Sequence, residues 1–215
     1  LKRNCDACDF HQEMKRGCNL HQSRTNTALM NIRDPEISII QYQPGHQHIP
    51  GHFWYKRTGI SRIQIGIDGF MWMLFPTTHQ VLSPAVGSLF ARNQCFAWLL
   101  IEGGIIYLKT PVKGKITAIN PAFINREINS QLFLSPEADL WLMEIETEDE
   151  TIYSQNILTK SEYIETIEID RSRLKILTHA PDSNNDLSLS RISQITKKDF
   201  GDYLRIVGDG RIMIC

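Results

Sequence analysis

Alternation of apolar and polar residues predicts several short β-strands in the middle of the chain. The clearest is Arg62–Ile67, RIQIGI, which alternates as a half-buried strand should. Two apolar runs, residues 99–101 and 105–108, flank Gly103-Gly104. Two glycines between β-prone runs are typical of a hairpin, because glycine adopts positive φ without a steric clash. Further apolar runs predict strands at residues 96–101, 116–119 and 140–145.

Helical spacing is concentrated near the end of the chain. Apolar residues at positions 164, 167, 174 and 177 predict an amphipathic helix over residues 161–177. Residues 192–203 favour a second helix, and residues 71–75 a short one. Residues 204–215, LRIVGDGRIMIC, predict a β-hairpin around Gly208-Asp209-Gly210.

Several of these segments resemble the glycine cleavage system H protein family. The matching motifs are His52-Phe53-Trp54, RIQIGIDGF at residues 62–70, LSPAVG at residues 82–87, PVKGKITAINPAF at residues 111–123 and LWLMEI at residues 140–145. They occur in the family order over about residues 50–146. The resemblance implies a mainly β fold, the lipoyl/biotinyl-type β barrel-sandwich hybrid.

The extent of this resemblance divides the chain into three predicted parts. Residues 1–49 form an N-terminal Cys/His-containing segment, and residues 50–147 form the H-protein-like barrel-sandwich domain. Residues 148–215 form a small α+β C-terminal extension.

The position that matters most in this family differs here. In the H protein a lysine at the hairpin tip carries lipoate, eight residues before the proline that corresponds to Pro111. Gly103 occupies that position, and neither Glu102 nor Gly104 beside it is a lysine. Lys109, on the returning strand, is the alternative attachment site. The resemblance therefore implies a lipoyl-type scaffold that lacks its lipoyl lysine, and we expect no lipoate.

The hairpin tip is also the predicted partner-binding surface. A carrier presents this tip to other proteins, and Glu102, Gly103, Gly104 and Ile105 occupy it here. A charge beside apolar residues suits a modest protein–protein contact. The alternative is that the isoleucines point into the barrel and that the glycines serve only the turn.

A cluster of metal-ligand residue types lies near the N-terminus. Cys5, Cys8, His11, Cys18 and His21 fall within one short segment, and Cys-x2-Cys lets two thiolates bind one ion. Zinc fits this set, and an iron–sulfur cluster would need a fourth cysteine. Free thiols and a disulfide are the alternatives. The Cys-x2-Cys-x-Phe spacing also resembles that of certain bacterial H-protein-like proteins of unassigned activity, which lack the lipoyl lysine too.

Other candidate residues have simpler interpretations. His46, His48 and His52 lie among prolines and glycines, which favours an exposed loop over a metal site. Cys95 stands alone and is expected to pack in the core. The chain has no nucleotide-binding or hydrolase motif, so we expect no catalytic activity of its own.

The composition and net charge of the chain bear on its possible partners and location. The 215 residues are 42% hydrophobic and 22% charged, with a net charge of −1. This balance favours neither nucleic acid nor an anionic membrane as a partner, and with no apolar leader it suggests a cytoplasmic protein. The leading hypothesis is a non-lipoylated binding or scaffold protein that docks onto a protein partner, with a homo-oligomer left open. The alternatives are a lipoyl carrier in a glycine cleavage or related lipoate-dependent system, and a metal or redox sensor that uses the N-terminal cysteines.

Overall fold

The computed structural model describes residues 45–75, 78, 80–101, 104–123, 140–148, 157–178 and 197–214. Strands predominate in these residues. They are β1 (Gln47–Ile49), β2 (Phe53–Arg57), β3 (Arg62–Ile67), β4 (Gln80–Leu82), β5 (Leu89–Phe90), β6 (Cys95–Ile101), β7 (Gly104–Lys109), β8 (Gly114–Ile119), β9 (Met143–Glu146) and β10 (Ile212–Ile214). The helices are α1 (Gly69–Leu74), α2 (Lys160–Leu177), α3 (Lys197–Val207) and a short 3-10 helix (Pro121–Phe123).

The strands form two antiparallel sheets. The six-stranded sheet has the order β1-β2-β3-β9-β8-β5, and the four-stranded sheet has the order β10-β7-β6-β4. Every pairing between neighbouring strands that the structure describes is antiparallel. The predicted mainly β barrel-sandwich is confirmed.

The core lies between the two sheets and is closed by helices. Ile63, Ile65 and Ile67 of β3 are buried, and Leu99 of β6 in the other sheet belongs to the same hydrophobic cluster. Full burial of one such side chain contributes about 1.5–3 kcal/mol to folding before entropy is counted. The outward positions of β3, such as Gln64, are more exposed, as its alternation predicts.

The predicted hairpin is present, but Gly104 is the first residue of β7 and not part of the link between the strands. β6 pairs with β7, and Ile101 is the partner of Gly104 at its end. A register shift between Cys95 and Ala97 bends the other end of the pair. The two residues that link the strands, Glu102 and Gly103, lie outside the described residues.

The predicted helices at residues 71–75 and 161–177 are confirmed as α1 and α2, with small changes in their bounds. Asp68 caps α1, where its side chain accepts a hydrogen bond from the backbone N–H of Met71. Thr159 and Glu162 form a reciprocal capping box at the start of α2. The buried side of α2 includes Tyr163, whereas Ile164 is 43% exposed, so the predicted apolar side is partly wrong.

The predicted C-terminal hairpin is wrong. Leu204 and the residues up to Val207 belong to α3, and β10 is the one strand in the described part of this segment. Asp209 and Gly210 adopt positive φ of 50° and 70°, which ends the helix and turns the chain. β10 then pairs with β7, antiparallel, and not with a neighbour in the sequence.

The C-terminal extension shares its core with the barrel. Leu174 of α2, Leu204 of α3 and Ile212 of β10 are all fully buried in the same hydrophobic cluster as β3. The division of the chain at residues 147 and 148 stays a prediction. Among the described helices, none combines the length and apolar character that crossing a bilayer requires.

Candidate functional site: a buried histidine between two carboxylates

The turn between β1 and β2 places a histidine inside the protein. Gly51 has φ of 88° and His52 has φ of 62°, an uncommon conformation for a residue with a side chain. A Cβ on Gly51 would lie 2.8 Å from the carbonyl oxygen of Gly208, so the turn needs glycine where the C-terminal extension touches it. The carbonyl oxygen of His52 accepts a hydrogen bond of 2.9 Å from the N–H of Asp68.

The His52 imidazole lies between two acidic side chains. Its Nδ1 is 2.8 Å from Oδ2 of Asp68, and its Nε2 is 3.1 Å from Oδ2 of Asp170. The exposed fractions of these three side chains are only 1%, 1% and 4%. The ring also stacks on Phe70 of α1, with centroids 4.8 Å apart.

The two carboxylates keep this histidine protonated. Burial disfavours its charged form, but Asp68 first and then Asp170 outweigh that cost and raise the pKa of His52 to about 9. At neutral pH both ring nitrogens therefore donate a hydrogen bond. A histidine bonded in this way has no lone pair for a general base or a metal ion. Among the residues that the structure describes, no group of three or more His, Cys, Asp and Glu could hold a metal ion.

Each carboxylate also binds a second element. Asp68 also accepts a hydrogen bond from the backbone N–H of Met71 in the first turn of α1. Burial first, and Asp68 second, raise the pKa of Tyr163 in α2 well above its usual value. Asp170 forms an ion pair with Arg173 one turn later. The Tyr203 hydroxyl of α3 donates to the backbone carbonyl of Asp170 over 2.9 Å. The cluster therefore joins the β1–β2 turn, α1, α2 and α3.

The expectation of an exposed histidine loop is wrong. His46, His48 and His52 are 8%, 2% and 3% exposed. The His46 ring lies parallel to the Trp54 indole at 3.7 Å, and the His48 ring packs on Tyr163 at 4.0 Å. Burial lowers the pKa of His48 to about 4, so this second histidine is neutral at neutral pH.

Sequence reasoning missed both carboxylates of the cluster. Asp68 stands immediately before the apolar run of α1, which is an N-cap position, and this signal was available. Asp170 shares the buried side of α2 with Tyr163, Ile167 and Leu174. A carboxylate in line with buried apolar positions indicates a buried partner, since an isolated buried charge is costly.

At the hairpin, the structure describes part of the predicted partner-binding set. Ile105 is 4% exposed and packs with Cys95 and Trp98 on one side of the four-stranded sheet. Ile106 is fully buried in the main core. The apolar side chains of β7 thus serve packing, and docking at the tip stays a prediction centred on Glu102 and Gly103.

The two remaining predictions concern cysteines. Cys95 is buried in β6, where it packs with Trp98 and Ile105, which confirms its predicted packing role. The predicted metal ligands Cys5, Cys8, His11, Cys18 and His21 lie outside the described residues. Metal binding by this segment stays a prediction.

The two sheets and their hairpin define a mainly β barrel-sandwich protein whose C-terminal extension is built into the same core. Fourteen chains of solved structures match it. One of them is a glycine cleavage system H protein from Mycobacterium marinum, with a TM-score of 0.44 and 18% sequence identity. That similarity covers 57% of this chain and 97% of the other. No protein-family model and no curated protein sequence matches the chain.

Proposed function

We propose that this protein is a non-lipoylated binding or scaffold protein with an H-protein-like barrel and no catalytic activity of its own. The observation that supports this most directly is the register of the β6–β7 hairpin. Because Ile101 and Gly104 are partners, only Glu102 and Gly103 link the two strands. Neither residue has an amine to which lipoate could be joined.

The position of Lys109 argues against the alternative attachment site. Lys109 lies at the end of β7 away from the hairpin tip, and its partner is Cys95. Its backbone N–H donates to the carbonyl oxygen of Arg211 over 2.7 Å. A lipoyl arm needs its lysine on an accessible turn, whereas the backbone of this lysine lies between β6 and the residue that precedes β10.

The buried cluster fits a structural role better than a catalytic one. Both nitrogens of His52 are engaged, and Asp68 and Asp170 each bind further groups. A protein that binds but does not transform its partner needs a rigid scaffold, which such a cluster supplies. The partner that we propose is another protein, bound in the cytoplasm at the hairpin tip.

Attempted lipoylation tests the absence of the arm. The full chain is incubated with a lipoate ligase, ATP and lipoate, and its intact mass is measured beside that of a lipoyl-domain control. We expect the control to gain one lipoyl group and this chain to gain none. A gain that disappears in Lys109→Ala would overturn the proposal and support the lipoyl-carrier alternative.

Partner capture tests the binding function. Because Ile105 is buried, the only change made at the tip is Glu102→Lys, and Glu146→Lys on the exposed part of β9 serves as the matched charge reversal. We expect the wild type and Glu146→Lys to retain the same specific protein from host lysate, and Glu102→Lys to lose most of it. Equal capture by all three would rule out the tip as the docking site.

A further inference from the structure

The His52 cluster joins parts of the molecule that lie far apart in the sequence. His52 and Asp68 belong to the barrel, whereas Asp170 is on α2 of the C-terminal extension. We propose that this bridge is a proton-dependent latch, which holds α2, and through it α3 and β10, on the barrel. The inference does not depend on the proposed binding function.

The number of protons on the ring decides whether both contacts can exist. A protonated imidazole has two N–H donors, one for each carboxylate. A neutral imidazole has one N–H and one lone pair, so one carboxylate oxygen would face a lone pair at hydrogen-bond distance. In a buried site that repulsion is poorly screened. Loss of a single proton from His52 therefore breaks one of its two contacts.

The contact with Asp170 is the one expected to break. It is the longer of the two, at 3.1 Å against 2.8 Å for the contact with Asp68. Asp68 is also fixed in place as the cap of α1. Asp170, in contrast, is paired with Arg173, whose side chain is 51% exposed. This carboxylate can therefore turn towards solvent and still keep a cation beside it.

Other titratable groups around the ring do not replace this proton. Because the pKa of His52 is about 9, the ring loses its second proton in the mildly alkaline range. His48, whose pKa is about 4, is neutral throughout that range. The pKa values of both tyrosines are raised far above that range, chiefly by burial. Asp68 and Asp170 contact the His52 ring directly. The other charged and titratable groups near this cluster interact with these carboxylates or with each other, and they are Arg173 and Tyr163 on α2, Tyr203 on α3, and His46 and His48 beside and within β1.

Release of Asp170 would also loosen α3 and β10, and β10 belongs to the four-stranded sheet. The Tyr203 hydroxyl links α3 to the backbone of Asp170, and β10 follows α3 after four residues. β10 covers the outer edge of β7, where Ile212 pairs with Leu108. An unlatched extension would thus uncover backbone hydrogen-bonding groups on β7, an edge of the kind that extended peptides bind.

Hydrogen exchange on the full chain tests the latch without any mutation. Exchange is followed by mass spectrometry at about pH 6.5 and about pH 9.5, and rates are corrected for the intrinsic effect of pH. We expect protection factors in α2 and β10 to fall by about tenfold or more, since one pKa unit corresponds to a tenfold change. Protection in β3 and β9 should change much less. Equal changes in all four elements, or no change in α2, would overturn the proposal.

Two matched variants distinguish release of the latch from a general loss of stability at alkaline pH. Asp170→Asn removes the charge that holds His52, whereas Asp202→Asn removes a carboxylate on the surface of α3 that pairs with Lys198 and Arg205 of the same helix. We expect Asp170→Asn to show the low α2 protection already at about pH 6.5, with little further change at about pH 9.5. Asp202→Asn should behave as the wild type. If the two variants respond alike, the latch is refuted.

A side-chain spectrum provides an independent test. Long-range ¹H–¹⁵N correlation spectra report which imidazole nitrogens carry a proton. We expect His52 to show two protonated nitrogens at about pH 7, and only Nδ1 protonated after titration. A ring that is neutral at about pH 7, or that keeps its proton on Nε2 after titration, would contradict the mechanism.

Discussion

The indole of Trp54 lies against the backbone of Gly66, its partner on β3. A Cβ on Gly66 would be 2.6 Å from Cε2 of Trp54 and 2.9 Å from the carbonyl oxygen of Leu140. The Trp54 Nε1–H donates to the carbonyl oxygen of Ile67 over 3.0 Å, which fixes the ring in this position. Gly66 is therefore required by a close contact and not by a turn.

Gly66→Ala is expected to destabilise the protein. The added methyl group cannot be accommodated without moving a fixed ring or a backbone carbonyl, and overpacking of this kind costs about 1–3 kcal/mol. Urea denaturation monitored by circular dichroism measures the loss. Gly59→Ala is the control, because a Cβ there would have its nearest neighbour at 3.5 Å, an ordinary contact. Equal free energies of unfolding for the two variants would contradict the prediction.

The free energy of unfolding is expected to fall in mild acid because of His48. The pKa of His48 is about 4 in the folded chain and 6.5 as its ordinary value, so between these pH values the unfolded chain binds a proton that the folded chain does not. Stability from this group is complete above about pH 6.5 and is lost as the pH falls towards about 4, by up to about 3 kcal/mol.

The measurement compares wild type and His48→Gln by urea denaturation at about pH 7.5 and about pH 5. Glutamine does not titrate, so the wild type should lose more stability between the two pH values than the variant does. His52 does not confuse this comparison, because its raised pKa lowers stability as the pH rises from about 6.5 through about 9, and both proteins keep this histidine. Parallel losses in the two proteins would refute the role of His48.

The N-terminal cysteines are expected to bind metal. Protein purified without oxygen or chelators should contain about one zinc ion per chain, or several irons if a cluster forms. Cys5→Ser/Cys8→Ser should reduce this content severalfold, because each substitution removes a thiolate ligand. Elemental analysis measures both.

Cys95→Ser provides the control for this experiment, because Cys95 is buried in β6 and takes no part in the predicted site. It should keep the metal content of the wild type. Absence of metal from wild-type protein, or unchanged content in the double variant, would leave free thiols as the interpretation of the segment.

Sequence patterns correctly predicted the strands and turns that are determined by adjacent residues. The alternation in Arg62–Ile67 and the Gly103-Gly104 pair depend only on neighbouring residues, and both predictions are confirmed as β3 and the β6–β7 hairpin. The C-terminal hairpin failed because Asp209 and Gly210 suit a helix end as well as a strand turn. Burial of Leu204 on the core decides between the two, and no local signal shows it.

The candidate site could not be found in the same way. His52 and Asp170 are separated by 118 positions, and nothing near either residue indicates the other. The prolines and glycines around the histidines correctly indicate turns, but whether a turn is exposed depends on what packs over it. Here Tyr163 covers His48, a contact that only the folded chain defines.

The pairing of β10 with β7 has a consequence for synthesis on the ribosome. Ile212 and Leu108 lie about 100 residues apart, which at roughly 5–20 residues per second corresponds to about 5–20 seconds of translation. Throughout that time the nascent chain presents the β7 edge with no strand to cover it, and open edges of this kind promote aggregation. We therefore expect the four-stranded sheet to close last, and nascent chains that stall before residue 212 to depend on chaperones.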